Sequence, residues 1–349
     1  MSCKRLVWFY ILIGLFLAIG LTYADPLPVP DTSSMPQVWD NLNGTAGEPV
    51  SLYDIYLVAP QKIRTTILFD PITTSYGLDS TGKTYHFVYY KYLGRHPQLE
   101  FKYFRINMPI SIAYGISRSL EIEFRRAYLY RSKTIGYLPE SLLVKQPFRE
   151  LRGNTNGLGD FSVRLRTKIL GEPDKPLYMA LGIGMKFASS AEFDTTYYLP
   201  ISPGSTDLFF GIYNAIRFGR LIIPSAVTYS HTGRYLNGLP IGEIITYRIG
   251  LIAEIHRFAD LNFSLKGYEI TDESKPIISP ANLNLVSGIT DKIIEISPQG
   301  ISKTTAEIGL SIKIPKIRAA ISGGIITDLR GKRTYYDDIS SIFSMQIGF

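Results

Sequence analysis

The chain has 349 residues, 45% of them hydrophobic, 13% aromatic and 19% charged, with a formal net charge of +7. Tyr (24) and Phe (18) far outnumber Trp (2), and Gly (30) and Pro (21) are frequent, which argues against a mainly helical chain and for strands and turns. The charge is too small to indicate nucleic acid, and the length suits one large barrel or two soluble domains.

Met1–Arg5 carries Lys4 and Arg5, and Leu6–Leu21 follows without a charge. Thr22 and Ala24 are small residues at the third and first positions before Asp25. This predicts a secretory signal peptide over residues 1–24, cleaved after Ala24. An uncleaved membrane helix is the alternative, and the apolar run is short for it. Cys3 is the only cysteine and precedes the apolar run, so lipoprotein processing does not fit. The mature chain then has no disulfide, thiol nucleophile or Cys metal site. Losing Lys4 and Arg5 lowers the net charge from +7 to +5, a balance that suits anionic lipid head groups at a membrane rim. No later apolar run reaches the roughly 18 residues of a membrane helix. A membrane-spanning mature chain must therefore be a closed barrel, which alone satisfies every backbone group in lipid.

Residues 25–82 read as a periplasmic N-terminal segment, either a plug or extra strands. Pro26, Pro28, Pro30 and Pro36 favour an extended lead-in, and 51–60 and 63–70 are each compatible with a strand. From Lys83 the pattern becomes repetitive, so the barrel is placed at 83–349. Lys83–Leu93 is the predicted first wall strand. Phe104–Ile116 alternates Phe104, Ile106, Met108, Ile110 and Ile112 with Arg105, Asn107, Pro109, Ser111 and Ala113. Leu120, Ile122 and Phe124 follow a tight turn, alternating with Glu121, Glu123 and Arg125. Past a polar connection near 132–156, Phe161, Val163 and Leu165 alternate with Ser162, Arg164 and Arg166. Leu177, Leu181, Ile183 and Phe187 face away from Tyr178, Ala180, Gly182 and Gly184. Strands over 207–217, 220–231, 244–256, 260–270, 305–314, 318–327 and 339–349 complete the series.

The final strand places Phe343, Met345, Ile347 and Phe349 on one face, up to the last residue. A terminal alternating strand with a final aromatic carboxylate resembles the assembly signal of bacterial outer-membrane barrels. Short turns near 118, 173, 218, 258 and 316 alternate with longer connections near 145, 197, 237, 285 and 333. Short periplasmic turns and longer outer loops are the habit of such barrels. Counting back from the last strand puts every short turn on the periplasmic side. The predicted fold is all-β: an antiparallel transmembrane β-barrel of about twelve strands, with ten to fourteen as bounds.

Charge clusters on the small-residue face. Glu121, Glu123 and Arg125 share that face, as do Arg164, Arg166 and Lys168. A hairpin centred on 132–156 predicts Glu121 opposite Lys168, Glu123 opposite Arg166 and Arg125 opposite Arg164. A constriction that filters solutes and a lumen-side ladder that pins register both fit, and the ladder is favoured. Gly157-Leu-Gly-Asp160 reads as the turn opening a strand, with Asp160 tying the loop end. A phosphate loop would need a helix after it. His231 has Gly at position 233, and Ser230 faces the opposite way, so a hydrolase nucleophile–base pair is not formed. His86, His96 and His256 show no zinc spacing. Tyr85, Tyr89, Tyr114, Tyr128, Tyr130, Tyr229 and Tyr247 lie near strand ends and read as an aromatic girdle. Tyr178 and Tyr213 are inward and suit a lining for aromatic or fatty cargo.

Met108–Gly115 with its turn and Leu120–Glu123, then Gly157–Asp160, then Phe349, together resemble the fatty-acid and aromatic-hydrocarbon transporter group of outer-membrane barrels. That group includes the MetA-like proteins linked to phenol degradation. The resemblance implies passage of small hydrophobic solutes through a barrel of about twelve to fourteen strands. The expected function is passive diffusion of small solutes across the bacterial outer membrane, with no chemistry, no cofactor and no metal. A structural or adhesive barrel with a filled lumen, and more weakly a lipid hydrolase on the rim, are the competing readings. Expected partners are outer-membrane lipid, lipopolysaccharide and the barrel assembly machinery, with a monomeric barrel and no nucleic acid.

Overall fold

The computed structural model describes residues 49–78, 84–86, 99–137, 151–188, 205–232, 243–271, 301–332, 334–337 and 339–348. The expected signal peptide, the proline-rich stretch to residue 48, most of Lys83–Leu93 and Phe349 lie outside the described residues.

The strands are β1 (Ile63–Leu78), β2 (Thr84–His86), β3 (Leu99–Gly115), β4 (Leu120–Tyr137), β5 (Leu151–Leu170), β6 (Leu177–Phe187) and β7 (Asp207–Phe218). They continue as β8 (Leu221–His231), β9 (Glu243–His256), β10 (Ala259–Thr271), β11 (Ile301–Ile314), β12 (Ala319–Lys332), β13 (Thr334–Asp337) and β14 (Ser340–Gly348). Antiparallel pairing runs in chain order from β3 to β12 and then to β14. The sheet closes because β1 pairs with β14 on one side and with β3 on the other. Setting aside the short strands β2 and β13, twelve strands form a closed wall.

The count expected from the sequence stands, but its first member changes. The closing strand is Ile63–Leu78, not Lys83–Leu93; of the latter, the described residues Thr84–His86 pair with the far end of β1. The wall thus starts before residue 83. The sequence makes 63–70 compatible with a strand without placing it in the wall; the strand runs on through Pro71, a residue with no ladder donor that is confined to edges and breaks in a sheet. Pro71 falls in such a break: β14 pairs with β1 up to Phe69, and β13 takes over at Thr74.

The five described turns are short: 116–119, 171–176, 219–220, 257–258 and 315–318. All lie at one end of the barrel, as antiparallel connectivity requires. Gly219 has φ +59, and this left-handed residue suits the two-residue Gly219-Arg220 hairpin. At Gly171, φ +74, an added Cβ would sit 1.8 Å from the Leu177 carbonyl oxygen.

The two faces of the wall are inverted relative to a soluble protein. Leu181, Ile183, Phe210, Ile212, Val227, Ile249, Ile308 and Ile325 are exposed on the outside. Arg105, Asn107, Glu121, Arg164, Thr228, Thr246, Arg248 and Ser311 are buried inside. Such an apolar exterior is satisfied by lipid, and the polar interior by hydrogen bonds within the lumen. Phe343 and Met345 of the last strand are exposed on the outer face, and Ile347 is half-buried.

Candidate functional site at the foot of the lumen

Residues 49–60 run inside the barrel at its short-turn end, then leave through Gln61 and Lys62 into β1. Ser51 caps a single 3-10 turn, Leu52–Ile55: its backbone N–H donates to Asp54 Oδ2 (2.9 Å), and its hydroxyl accepts from the Tyr53 N–H (3.2 Å). Leu52 and Ile55 are buried against Tyr178, Ala180, Tyr213, Ala215, Ile222, Ala226 and Ile252 of the wall. The ring of Tyr56 meets that of Tyr178 edge-on, centroids 4.9 Å apart.

An irregular backbone inside a barrel has no sheet partner, so its N–H and C=O groups must be met by side chains. The wall supplies them. Arg248 Nη1 donates to the carbonyl of Pro49 (3.2 Å), and Arg166 Nη1 donates to that of Asp54. Arg64 Nη1 donates to the carbonyl of Tyr56 (2.7 Å). The N–H of Leu57 donates to the Tyr178 hydroxyl (2.9 Å), and that of Val58 to Glu121 Oε2 (2.5 Å).

Asp54 joins this segment to the closing seam. Its Oδ1 accepts from Thr66 of β1 (3.0 Å) and from Gln346 of β14 (3.0 Å), and Arg64 Nε lies 3.3 Å away. Thr66 and Gln346 face each other in the β1–β14 register. One carboxylate therefore spans the seam from inside. On the far wall, the Tyr53 hydroxyl donates to Asp260 Oδ2 (2.5 Å), and Lys313 lies 2.8 Å from the same oxygen. Burial and the Asp260 carboxylate push the Tyr53 phenol well above its ordinary pKa, and burial raises that of Tyr56. Both phenols stay neutral through the physiological range, and the Tyr53 donor is lost only as pH rises through its raised value.

Of the six charged residues singled out in the sequence, Glu121, Glu123, Arg164 and Arg166 are brought together at this foot, in a register two residues from the expected one. Glu121 faces Arg166, Glu123 faces Arg164, and Arg125 faces Ser162. A two-residue slip keeps every side chain on the same face while changing its partner. The observed register gives each carboxylate a guanidinium and avoids the Arg125–Arg164 like pair. Arg166 Nε donates to Glu121 Oε1 at 2.9 Å, and Arg164 Nη2 pairs with Glu123 Oε2. Arg164 Nη1 donates to the Tyr213 hydroxyl (2.8 Å), whose ring lies under both guanidinium groups at 5.0 and 5.3 Å. Lys168 sits at the mouth and pairs with Glu172 of the adjacent turn.

Other expectations divide. Tyr178 and Tyr213 are inward and fully buried, but they support the inner segment and the arginines instead of lining open space. Gly157–Asp160 lies within β5, which starts at Leu151, so it does not open the strand; Asp160 is 3.3 Å from Lys186 in the lumen. A shift in the β4–β5 register beside Leu158 interrupted the alternation there. Ser230 is buried inward while His231 is exposed beside Glu243 (3.6 Å), so the two face opposite ways. Asp54, Arg64, Arg248 and Asp260 were not singled out from the sequence. The inward alternation Arg64, Thr66, Asp70 was the available signal for the second of these.

No family model and no curated protein matches this sequence. Among solved structures, an outer membrane channel from Pseudomonas putida F1 is similar with TM-score 0.55 and 9% identity, over 85% of this chain and 98% of that one. The toluene transporter TbuX of Ralstonia pickettii gives TM-score 0.43 at 10% identity, covering 90% of this chain and 98% of that one. A FadL homologue of Pseudomonas aeruginosa gives 0.38 at 8% identity, covering 94% and 99%. The twelve-stranded closure, the apolar exterior and the first of these likenesses agree: this chain has the fold of a bacterial outer-membrane channel barrel.

Proposed function

We propose that this protein is an outer-membrane channel for passive passage of small solutes, hydrophobic or aromatic ones among them, with residues 49–60 as a fixed restriction at the periplasmic foot. The observation that carries this reading is the division of the lumen. Its foot is filled by a segment whose backbone is met by wall side chains, and the wall beyond it is mixed. Phe209, Ile244, Tyr268 and Ile270 are buried on the inner face with Thr228, Ser230 and Thr246, so that face is closely packed and of mixed polarity. A small solute with an apolar body and a polar edge matches such a face where side chains yield to admit it. The charged pairs Glu121–Arg166 and Glu123–Arg164 then hold register and floor the channel. The partners proposed are outer-membrane lipid, lipopolysaccharide and the barrel assembly machinery, with the barrel acting as a monomer.

The filled foot also supports a second reading, a structural barrel sealed by its own N-terminal segment. Single-channel recording of the mature chain in planar bilayers separates the two. A transport barrel gives discrete conductance steps that grow when residues 49–58 are replaced by a Gly/Ser linker. It also speeds entry of a small aromatic solute into cells that carry it. Steps absent from both proteins, with entry unchanged, favour the sealed barrel.

A further inference from the structure

All five described short turns carry an exposed cation, and together they hold Arg118, Lys175, Arg220, Arg257, Lys316 and Arg318. Only Glu172 and Asp174 oppose them on the same turns, and Glu172 is already paired with Lys168. None of the six cations makes an ion pair among the described residues. The carboxylates nearest the rim are engaged from the lumen and strand side: Glu254 by Arg217 and Lys313, and Asp260 by Lys313 and Tyr53. Large apolar side chains stand beside the cations, with Phe218 63% and Ile317 62% exposed, and the Arg257 guanidinium lies 4.5 Å from the centroid of Phe258.

The longer connections of the chain have a different balance in the sequence. The connections 79–98, 138–150, 188–206, 232–242, 272–300 and 333–339 hold nine Lys and Arg against eleven Asp and Glu. The basic excess therefore belongs to the short-turn rim and not to the barrel as a whole. Arginine and lysine flanked by exposed Phe and Ile suit a boundary between hydrocarbon and phosphate, with apolar groups in the acyl layer and cations at the head groups.

We propose that the short-turn rim is a binding surface for anionic phospholipid, each turn placing a cation against the head-group phosphates of the leaflet at that end. The surface selects anionic over zwitterionic lipid and fixes the depth of the barrel foot. It rests on the membrane-spanning reading and is independent of what the channel carries.

The test uses the mature full chain in vesicles of phosphatidylcholine with one-third phosphatidylglycerol. Spin-labelled phosphatidylglycerol and phosphatidylcholine report the relative association of each lipid with the protein. The wild type is expected to favour phosphatidylglycerol several-fold. The preference falls towards unity in Arg118→Gln/Arg220→Gln/Arg257→Gln/Lys316→Gln. It survives in Lys91→Gln/Lys145→Gln/Arg149→Gln/Arg234→Gln, which removes as many cations from the longer connections. It also weakens as salt is raised, because exposed charges are screened. A salt-independent preference, or equal loss in both variants, overturns the proposal. A barrel that enters the vesicles without any preference overturns this proposal alone, and one that does not enter overturns the membrane-spanning reading with it.

Discussion

Glu121 shows how far single residues can be read. Its inward direction followed from alternation with Leu120 and Ile122, and its need for a cation followed from burial. Its partner did not follow, because registers two residues apart present the same face and only the full hairpin chooses between them. The choice has energetic consequences. Glu121 and Arg166 are both 0% exposed, so Glu121→Ala leaves the buried guanidinium with Glu123 at 3.9 Å as its remaining anion and is expected to cost about 3 kcal/mol in denaturant unfolding. Lys168→Ala removes an ion pair to an exposed glutamate and should cost under about 1 kcal/mol in the same experiment. Gly250 tests the contact between wall and inner segment. A Cβ there would sit 2.7 Å from Leu52 Cδ2, so Gly250→Val should push the segment from its seat at a cost of about 1–3 kcal/mol. Conductance should rise while the barrel stays folded by its heat-modifiable gel mobility.

At the scale of elements, β1 is the informative case. Its outward residues Ile63, Thr65, Ile67 and Phe69 alternate with Arg64, Thr66 and Asp70, yet the irregular run before it, with Pro26, Pro28, Pro30 and Pro36, left its place in the wall open between a plug and extra strands. Pro71 is tolerated within β1 because the wall itself changes partner there. The inner segment was less legible still. Residues 49–60 have no hydrophobic period, and beyond the local Ser51–Asp54 cap and the nearby Arg64 and Thr66 their seat is set by side chains more than fifty positions away, among them Glu121, Tyr178, Arg166 and Arg248. Asp54 ties this element to the seam, which yields a selective prediction. With cysteines at Leu68 and Ser344, register partners across β1 and β14, Asp54→Ala should speed exchange-limited crosslinking at that seam several-fold. The same change should leave a control pair at Ile183 and Phe210, across β6 and β7, unaffected. Equal acceleration at both sites would mean general loosening instead.

For the whole molecule, the sequence was most transparent where a physical rule acts on every strand at once. Lipid outside and a narrow lumen inside force large apolar residues to one face and small or charged ones to the other, and this pattern repeats in β6 as Leu177, Leu181 and Ile183 against Tyr178, Ala180 and Gly182. Strand number followed from the same repetition even though one member was misplaced. The interior filling was legible only as an alternative, a plug or extra strands within residues 25–82, since no period separates the part that enters the lumen from the part that joins the wall. Ile183, near the middle of β6 and 50% exposed, measures the cost of breaking the outer rule. Ile183→Arg should destabilise the barrel by about 2–4 kcal/mol in reversible unfolding from vesicles.

The join between residues 49–60 and β1 also sets an order of events. Only Gln61 and Lys62 separate the inner segment from the strand that pairs Arg64 with Gly348. These are nearly the most distant pairings the chain can make, so their loop-closure entropy defers them to the end of folding. The first and last strands cannot zip until the C-terminal strand is available, and the two-residue tether keeps residues 49–60 beside the mouth of the lumen while they do. Seating of the segment and closing of the seam are thereby coupled, two long-range events that belong to one late stage of folding.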